Sequence, residues 1–388
     1  MLNPGMQRAR VPLSSPPYRR LVIKVGSAVL SGKEGRRRLL AIADQVAALR
    51  GEGREVVLVS SGAVATGMAR LGLTQRPRTM PGKQAAAAVG QPVLMQLWEQ
   101  AFAWHDLKVA QVLLTAEDLA HRHRYLNARH TLKTLLEWGI VPVINENDTV
   151  MVEEIKFGDN DQLSALIASL VAADLLIILS DIEALFDADP RHNPQARPVR
   201  YVEKVDAEVL RMAGDDPNQV GTGGMRSKLL AAEKAQAAGI PMLLLPGTRP
   251  GVVLQALQGE PVGTFFAAGQ RRYSGQKLWL SQLPKPAGEI LVDAGAARAL
   301  REGGASLLPA GIRGVKGSFG VGEAVRCLDP RGNLVGVGLV NYSSAEIERI
   351  MGAKTRDLEA ILGYKHSDEV IHRDYFALAS ELAAGGFG

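Results

Sequence analysis

Two lysines lie beside glycine and serine residues in patterns that suit phosphate binding. Lys24 ends an apolar run and is followed by Gly26 and Ser27. Lys228 closes the segment Gly221-Thr222-Gly223-Gly224-Met225-Arg226-Ser227-Lys228, which opens a strongly helical stretch. Glycine lets the backbone approach a phosphate, and a helix N-terminus favours an anion. Both segments therefore suit a phosphate ligand, while a lysine beside a tight turn and glycines that merely begin a helix are the alternatives.

Polar side chains follow two other apolar runs. Ser60-Ser61-Gly62 ends one predicted strand and opens a helix. Asn145-Glu146-Asn147-Asp148 ends another, and Gly158-Asp159-Asn160-Asp161 comes shortly afterwards. In open α/β sheets, ligands bind at the carboxyl ends of strands. The acidic clusters suit an ammonium group, a metal ion or a cationic side chain, whereas an N-capping serine and an ordinary polar loop are the alternatives.

Several other catalytic patterns are missing from the sequence. It contains no GxxxxGK phosphate loop, no HExxH metal motif and no GxSxG nucleophile turn. The seven histidines are scattered, and their one close pair, His121 and His123, favours a charged helix start over a metal site. The single cysteine, Cys327, excludes an internal disulfide framework and a cysteine-rich metal site. A chain with so little cysteine fits a reducing compartment, and we expect it to be cytoplasmic.

The elements that must position these residues alternate between apolar strands and amphipathic helices. Strands are predicted at 21–25, 55–60, 109–114, 140–144, 175–179 and 241–245. Helices are predicted at 37–50, 83–104, 124–138, 162–171 and 224–238. Continuous apolar strands separated by helices predict an α/β fold, with a mainly parallel sheet covered by helices on both faces.

The pattern changes near Pro284-Lys285-Pro286. Beyond it the apolar segments are short and rich in glycine, and turns are frequent, which predicts a small β-rich module. We expect a flexible leader at 1–18, an α/β domain at 19–270, a linker at 271–285, the β-rich module at 286–366 and a tail at 367–388.

The composition limits the classes of function. The chain has 388 residues, with 45 Lys and Arg against 40 Asp and Glu, so its net charge is only +5. That balance does not by itself indicate a nucleic-acid or membrane partner. No apolar run reaches the roughly 20 residues that a membrane-spanning helix needs. The composition is that of an ordinary globular protein.

Taken together and in this order, the motifs resemble those of the amino acid kinase family. The segments that show this resemblance are VIKVGSAVL, VLVSSGAVATG, KQAAAAVGQ, LWEQAF, VPVINENDTV, EIKFGDNDQLSAL, ADPRHNPQA and TGGMRSK. They look most like the family members that phosphorylate L-glutamate. SLLPAGI and the stretch from Gly317 to Gly322 resemble a PUA domain. The resemblance covers roughly residues 20 to 375, and its departures are small: Ser60 replaces a common threonine, and Arg226 occupies a variable position.

The resemblance implies a role for each motif. Lys24, Lys228 and Asp161 would be catalytic, with both lysines on the transferring phosphoryl group and Asp161 orienting them. Ser61, Asp148 and Asn160 would bind L-glutamate, and Lys156 is a weaker candidate for that site. The residues that would bind ATP are Lys24, Gly26, Ser27, Ser180, Asp181, Thr222, Gly223, Gly224, Met225, Arg226, Ser227 and Lys228. No protein metal site is implied, because Mg²⁺ would arrive with ATP.

The implied reaction converts the γ-carboxylate of L-glutamate to an acyl phosphate, the first step of proline biosynthesis. The resemblance further implies inhibition by proline, a homodimer or homotetramer, and a reductase partner that consumes the acyl phosphate. One alternative is another amino acid kinase, acting on aspartate, N-acetylglutamate, carbamate or UMP. The other is RNA binding through the PUA-like module, which has a net charge of only +2 between residues 284 and 366 and few aromatic residues.

Overall fold

The structure, a computed structural model, describes residues 18–120, 122–151, 160–190, 192–213, 224–269, 286–302 and 304–380. The chain forms two compact units, Met1–Arg272 and Tyr273–Gly388. The predicted leader up to residue 17, the whole predicted linker and the end of the predicted tail, residues 381–388, lie outside the described residues. The boundaries of these segments stay predictions.

A large sheet forms the centre of the first unit. The described strands of this unit are β1 (Arg20–Val25), β2 (Glu55–Ser60), β3 (Val109–Leu114), β4 (Val141–Glu146), β5 (Leu175–Ser180), β6 (Leu185–Phe186), β7 (Pro198–Val199), β8 (Tyr201–Val202), β9 (Met242–Pro246) and β10 (Thr264–Phe266). Eight of them pair in the order β3-β4-β2-β1-β5-β9-β10-β8, and every neighbouring pair is parallel except β9 with β10. β6 and β7 form a separate antiparallel pair. The predicted, mainly parallel sheet is confirmed.

Helices cover both faces of this sheet. They are α1 (Ser27–Leu30), α2 (Gly35–Gly51), α3 (Ala63–Leu71), α4 (Met80–Ala103), α5 (Ala116–Ala120), α6 (Arg122–Glu137), α7 (Asn160–Leu170), α8 (Ala207–Arg211), α9 (Met225–Ala237) and α10 (Val252–Leu257). One apolar cluster joins the sheet to α2, α4 and α10, and the other joins it to α6, α7, α8 and α9. Within the part of the chain that the structure describes, no helix is long and apolar enough to cross a membrane.

β1 occupies the middle of the sheet. It pairs with β2 along one edge and with β5 along the other, and residues 21–25 are all buried. Successive side chains of a strand point to opposite faces. Leu21, Ile23 and Val25 accordingly belong to one apolar cluster and Val22 to the other. Lys24 lies on the same face as Val22, so this strand places a cation among the buried side chains of that layer.

Two glycines bring α3 and α4 into backbone contact. A Cβ atom at Gly67 would lie 1.7 Å from the carbonyl oxygen of Ala86. At Gly90 it would lie 1.9 Å from the carbonyl oxygen of Ala63. Neither position accepts a side chain without separating the helices, so the contact fixes α3, and the residues around its first turn, against the longer α4.

The predicted elements differ from the observed ones mainly at their ends. α4 begins at Met80 rather than at the predicted residue 83, because Thr79 caps it by accepting a hydrogen bond from the Gly82 amide, and Pro81 suits a first turn. Pro92 lies inside this helix. The short elements α1, α5, α8, α10, β6, β7, β8 and β10 were not predicted, because each carries too few residues for a clear apolar period. The helix predicted to open after Gly62 is α3.

The second unit contains a five-stranded sheet. Its strands are β11 (Gly288–Val292), β12 (Ile312–Lys316), β13 (Ala324–Leu328), β14 (Leu334–Leu339) and β15 (Phe376–Leu378), in the order β12-β11-β13-β14-β15. The helices α11 (Ala294–Glu302), α12 (Ser344–Ile350) and α13 (Leu358–Leu362) accompany it. Cys327 lies in its core, where burial raises the pKa of the thiol to about 12. A small β-rich module was expected here, and the sheet confirms it.

Candidate functional site

The carboxyl ends of the central parallel strands meet at one edge of the sheet, and the predicted site residues gather there. Lys24 lies near the end of β1, Ser61 directly follows β2, and Ser180 ends β5. Two backbone hydrogen bonds hold this edge together: the Gly26 amide donates to Leu179 O at 3.0 Å, and the Ser61 amide donates to Val25 O at 3.0 Å. A Cβ at Gly26 would lie 3.2 Å from Leu179 O, so glycine suits the tight exit from β1.

A buried carboxylate joins the two predicted lysines. Lys24 Nζ lies 2.5 Å from Asp161 Oδ1, and Lys228 Nζ lies 3.1 Å from Asp161 Oδ2. Ser227 Oγ donates to Asp161 Oδ2 at 2.8 Å. The side chains of Lys24 and Lys228 are 2% and 4% exposed, and that of Asp161 is fully buried. These three groups, two lysine ammonium groups and one carboxylate, together carry one net positive charge, which suits a bound anion.

Three elements position this centre. Lys24 comes from β1, Lys228 from the first turn of α9, and Asp161 from the first turn of α7. A carboxylate near a helix N-terminus is stabilised by the helix dipole and the free amide groups. Removing either lysine would leave part of a buried charge unpaired, which is strongly unfavourable. The packing of α7 against α9 in one apolar cluster therefore also maintains the ion pairs.

A cavity of about 720 Å³ opens beside the centre. Of the residues predicted to bind ATP, those that line it are Lys24, Gly26, Ser27, Ser180, Asp181, Gly224, Met225 and Lys228. Gly224 caps α9, so the free amide groups of that helix start face the region where Lys228 projects. Arg226 is exposed and does not line the cavity, while Thr222 and Gly223 lie outside the described residues.

A second cavity of about 600 Å³ contains the predicted glutamate-binding residues. Ser61, Asp148 and Asn160 all line it. Ser60, by contrast, turns toward α4, where its hydroxyl accepts a hydrogen bond from Trp98 Nε1 at 2.9 Å. Lys156, the weaker candidate, lies outside the described residues.

A chain of side-chain amides holds Asn160 in one orientation. Asn145 Nδ2 donates to Gln91 Oε1 at 2.7 Å, and Asn160 Nδ2 donates to Asn145 Oδ1 at 2.8 Å. Asn160 Nδ2 also donates to Ser61 Oγ at 2.9 Å. Asn160 Oδ1 is buried and has no hydrogen-bond partner among the described residues. Because a buried polar atom without a partner is unfavourable, this oxygen suits a donor on a bound ligand.

Asp148 is the carboxylate whose environment is most unusual in this second cavity. Burial raises the pKa of Asp148 to about 6, although the guanidinium of Arg76 acts in the opposite direction. A carboxylate in such surroundings gains a partner when a cation binds beside it. The α-ammonium group of an amino acid is a cation of suitable size for this position.

The two cavities meet at the start of α1. Ser27 and Ala28 line both of them. Lys24 and Lys228 line only the first cavity, whereas Asp148 and Asn160 line only the second. A group that passes from a ligand in one cavity to a ligand in the other must therefore cross beside Ser27.

Three side chains at this site were missed by sequence reasoning. Gln91 and Asn145 belong to the amide chain, and Arg76 lines the second cavity. Asn145 lies in a segment already singled out, so its position near the end of β4 was a signal. Gln91 and Arg76 offer none, since Gln91 is one of several glutamines on α4 and Arg76 resembles Arg78 two residues later. The side chains of His121 and His123 are not among those described.

The chain is similar to known proteins over most of its length. A family model for the amino acid kinase family matches residues 19–245, and a PUA domain model matches residues 288–362. A glutamate 5-kinase of Meiothermus ruber is 79% identical over 96% of this chain and 99% of its own length. A glutamate 5-kinase of Thermus thermophilus is 62% identical over 94% of this chain and 98% of its own length, and one of Geobacter sulfurreducens is 51% identical over 92% and 96%.

Proposed function

The chain belongs to the amino acid kinase family, within its glutamate 5-kinases, and from that premise we propose that it transfers the γ-phosphoryl group of ATP to the γ-carboxylate of L-glutamate. The products are ADP and γ-glutamyl phosphate. The observation that carries the proposal is the buried Lys24–Asp161–Lys228 centre beside the junction of two cavities. ATP binds in the cavity lined by both lysines, and L-glutamate binds in the other.

The reaction needs no catalytic base. The nucleophile is the γ-carboxylate of the substrate, whose ordinary pKa of about 4.3 leaves it ionised at neutral pH. An oxygen of this carboxylate attacks the γ-phosphorus in line with the departing β-phosphate oxygen, and the ADP oxygen leaves with the electron pair of the broken bond. This accounts for a centre built from lysines and a carboxylate rather than from histidine or cysteine.

The main obstacle to the reaction is repulsion between anions. Two like unit charges 4 Å apart in an effective dielectric of 20 repel by about 4 kcal/mol. Lys24 and Lys228 offset this repulsion by binding oxygens of the phosphoryl group as it moves. Asp161 holds the two ammonium groups apart and in place, so that they need little rearrangement in the transition state.

The second cavity supplies groups that match L-glutamate. Asp148 binds the α-ammonium group, and Asn160 Oδ1 accepts a further hydrogen bond from it. Ser61 and the start of α3 lie near the path of the γ-carboxylate toward Ser27. Each of these assignments places a donor against an acceptor or opposite charges together.

The nucleotide cavity also fits a Mg²⁺ ion delivered with ATP. Mg²⁺ usually binds through one or two carboxylates together with phosphate oxygens and water. Asp181 and Glu183 line the cavity and offer carboxylate oxygens of this kind. Among the described residues, no group of three or more acidic, histidine or cysteine side chains is placed to hold a metal by itself. When bound, the ion neutralises charge on the phosphates, while Gly26, Ser27, Ser180 and the segment 222–228 hold the nucleotide.

The same chemistry extends to regulation and partners. Proline carries an α-carboxylate and a ring ammonium but no γ-carboxylate, so it fits the α end of the glutamate cavity and competes with the substrate. The acyl phosphate product is labile, and a reductase would consume it in the first stage of proline biosynthesis. A homodimer or homotetramer and a cytoplasmic location complete the proposal.

Trapping the product tests the proposed reaction. Purified protein, ATP and Mg²⁺ are incubated with hydroxylamine and with L-glutamate, L-aspartate or N-acetyl-L-glutamate in parallel, with and without proline. Hydroxamate from L-glutamate alone, suppressed by proline, is the expected result. Hydroxamate from another acid keeps the kinase chemistry and rejects glutamate. Absence of product from all three rejects the proposal and directs attention to RNA binding by the PUA domain, tested by filter binding at low salt.

A further inference from the structure

The cavity proposed for L-glutamate has an uneven charge. Among the described residues that line it, Glu146 and Asp148 are acidic and Arg76 is the single basic one. The α end of L-glutamate carries an ammonium and a carboxylate. Acidic side chains alone would attract the first and repel the second. A cation in this cavity would favour the α-carboxylate, and among the described lining residues Arg76 supplies one.

The direction in which the substrate lies follows from the two cavities. The γ-carboxylate must reach the junction at Ser27 and Ala28, because that is where the nucleotide cavity begins. The α end must then extend toward side chains that line only the glutamate cavity, which include Asp148 and Arg76. Arg76 thus faces the α end of the substrate, whose carboxylate is not phosphorylated.

Arg76 has the chemistry for this position. Its charge acts on the Asp148 carboxyl group, so the two side chains lie within electrostatic reach of each other. It forms no hydrogen bond or ion pair with any other residue that the structure describes. A guanidinium has five N–H donors in a planar fork that matches a carboxylate, and it stays charged at any physiological pH.

The backbone around Arg76 is held from both sides. The residue lies in the connection between α3 and α4, after Gly72, which ends α3 in a left-handed conformation, and before Thr79, which caps α4. The two helices are fixed to each other through Gly67 and Gly90. The backbone of Arg76 is therefore fixed next to the cavity, even though its side chain is exposed.

We propose that Arg76 binds the α-carboxylate of L-glutamate and makes the enzyme select substrates with an ionised α-carboxylate. This inference rests on the proposed function, since it assigns a partner to one end of the proposed substrate. Asp148 and Arg76 then form a matched pair, one for each charge on the α-carbon.

The test compares L-glutamate with L-isoglutamine, in which a neutral amide replaces the α-carboxylate and the γ-carboxylate is unchanged. kcat/KM for both is measured in the wild type and in Arg76→Ala, Arg76→Lys and Arg78→Ala. Arg78 is the matched control, because it is a second exposed arginine of the same connection and does not line the cavity. A charge-assisted hydrogen bond corresponds to a factor of about 10 to 100 in affinity.

Arg76→Ala is expected to lower kcat/KM for L-glutamate by about 10- to 100-fold, mainly through KM, and to change that for L-isoglutamine less than about threefold. Arg76→Lys should recover part of the preference for L-glutamate, and Arg78→Ala should keep all of it. If Arg76→Ala leaves the ratio of kcat/KM for L-glutamate to kcat/KM for L-isoglutamine unchanged, this inference is overturned while the proposed function stands. Failure of the wild type to phosphorylate L-glutamate overturns the proposed function as well.

Discussion

Lys24 Nζ and Asp161 Oδ1 lie 2.5 Å apart, and both side chains are almost completely withdrawn from solvent. The same carboxylate holds Lys228 through its other oxygen. Three distant segments of the chain therefore meet at one anion, and the centre exists only when β1, α7 and α9 are assembled. The fold thus brings both ammonium groups to this carboxylate before any ligand binds.

Loss of either lysine should slow turnover more than it weakens substrate binding. Lys24→Ala and Lys228→Ala are each expected to lower kcat by at least about 100-fold, because a fixed cation near the transferred group acts mostly in the transition state. Steady-state kinetics with ATP and L-glutamate measures the effect. Lys234→Ala is the control, since Lys234 lies on the same helix and bonds to Gln162 instead. A nearly normal kcat in Lys24→Ala or Lys228→Ala would remove that lysine from the mechanism.

Glutamate binding should weaken in acid as Asp148 becomes protonated. Burial raises the pKa of Asp148 to about 6 in the unliganded protein, with Arg76 and Glu146 as the other charged groups that line the same cavity. Below that pH the carboxyl loses its charge and its attraction for the substrate ammonium. KM for L-glutamate is expected to rise about tenfold between pH 7 and pH 5. Asp148→Asn should have a high KM with little dependence on pH, and a pH-dependent KM in that variant would assign the titration to another group.

The same carboxylate should reduce stability at neutral pH. The pKa of Asp148 is raised in the folded chain to about 6 from an ordinary 3.8, so the folded form binds its proton more tightly. Protonated Asp148 therefore adds to the free energy of unfolding. This contribution is complete below about pH 4 and is lost as pH rises through 6. Asp148→Asn should therefore be more stable than the wild type above pH 6, by up to about 3 kcal/mol. Urea unfolding at pH 4 and pH 8 measures this difference, and a variant no more stable than the wild type at pH 8 would contradict it.

The amide chain should control recognition through Gln91. Gln91→Met removes the acceptor for Asn145 Nδ2, so the Asn145 amide can turn and release Asn160. We expect KM for L-glutamate to rise about five- to tenfold with kcat little changed, consistent with loss of one buried hydrogen bond. Gln96→Met provides the control on the same helix, since Gln96 is exposed. Equal kinetics for the two variants would show that Gln91 does not position Asn160.

Local pattern was enough to find the long elements and the motif residues. The apolar run that contains β1 predicted a buried strand, and glycine beside lysine predicted phosphate chemistry at Lys24 and Lys228. Pattern could not distinguish Arg76 from Arg78, because only the path of the chain after α3 brings one of them to the cavity. Gln91 was equally hidden, since it lies on helix α4 while its partner Asn145 lies in strand β4, far along the sequence. Contacts between distant segments depend on packing, which a local pattern does not contain.

The two ends of the proposed active site should differ in the rate at which their amide hydrogens exchange, because β1 is central in the sheet. β1 is hydrogen-bonded along both edges and residues 21–25 are buried, so their amide hydrogens exchange only when the whole sheet opens. The connection that carries Arg76 is mostly exposed, and its amides exchange through small local openings. Lys24, to which the proposed mechanism assigns a contact with the transferring phosphoryl group, thus lies in a strand that is protected along both edges, and gentle warming should weaken glutamate binding before it slows turnover.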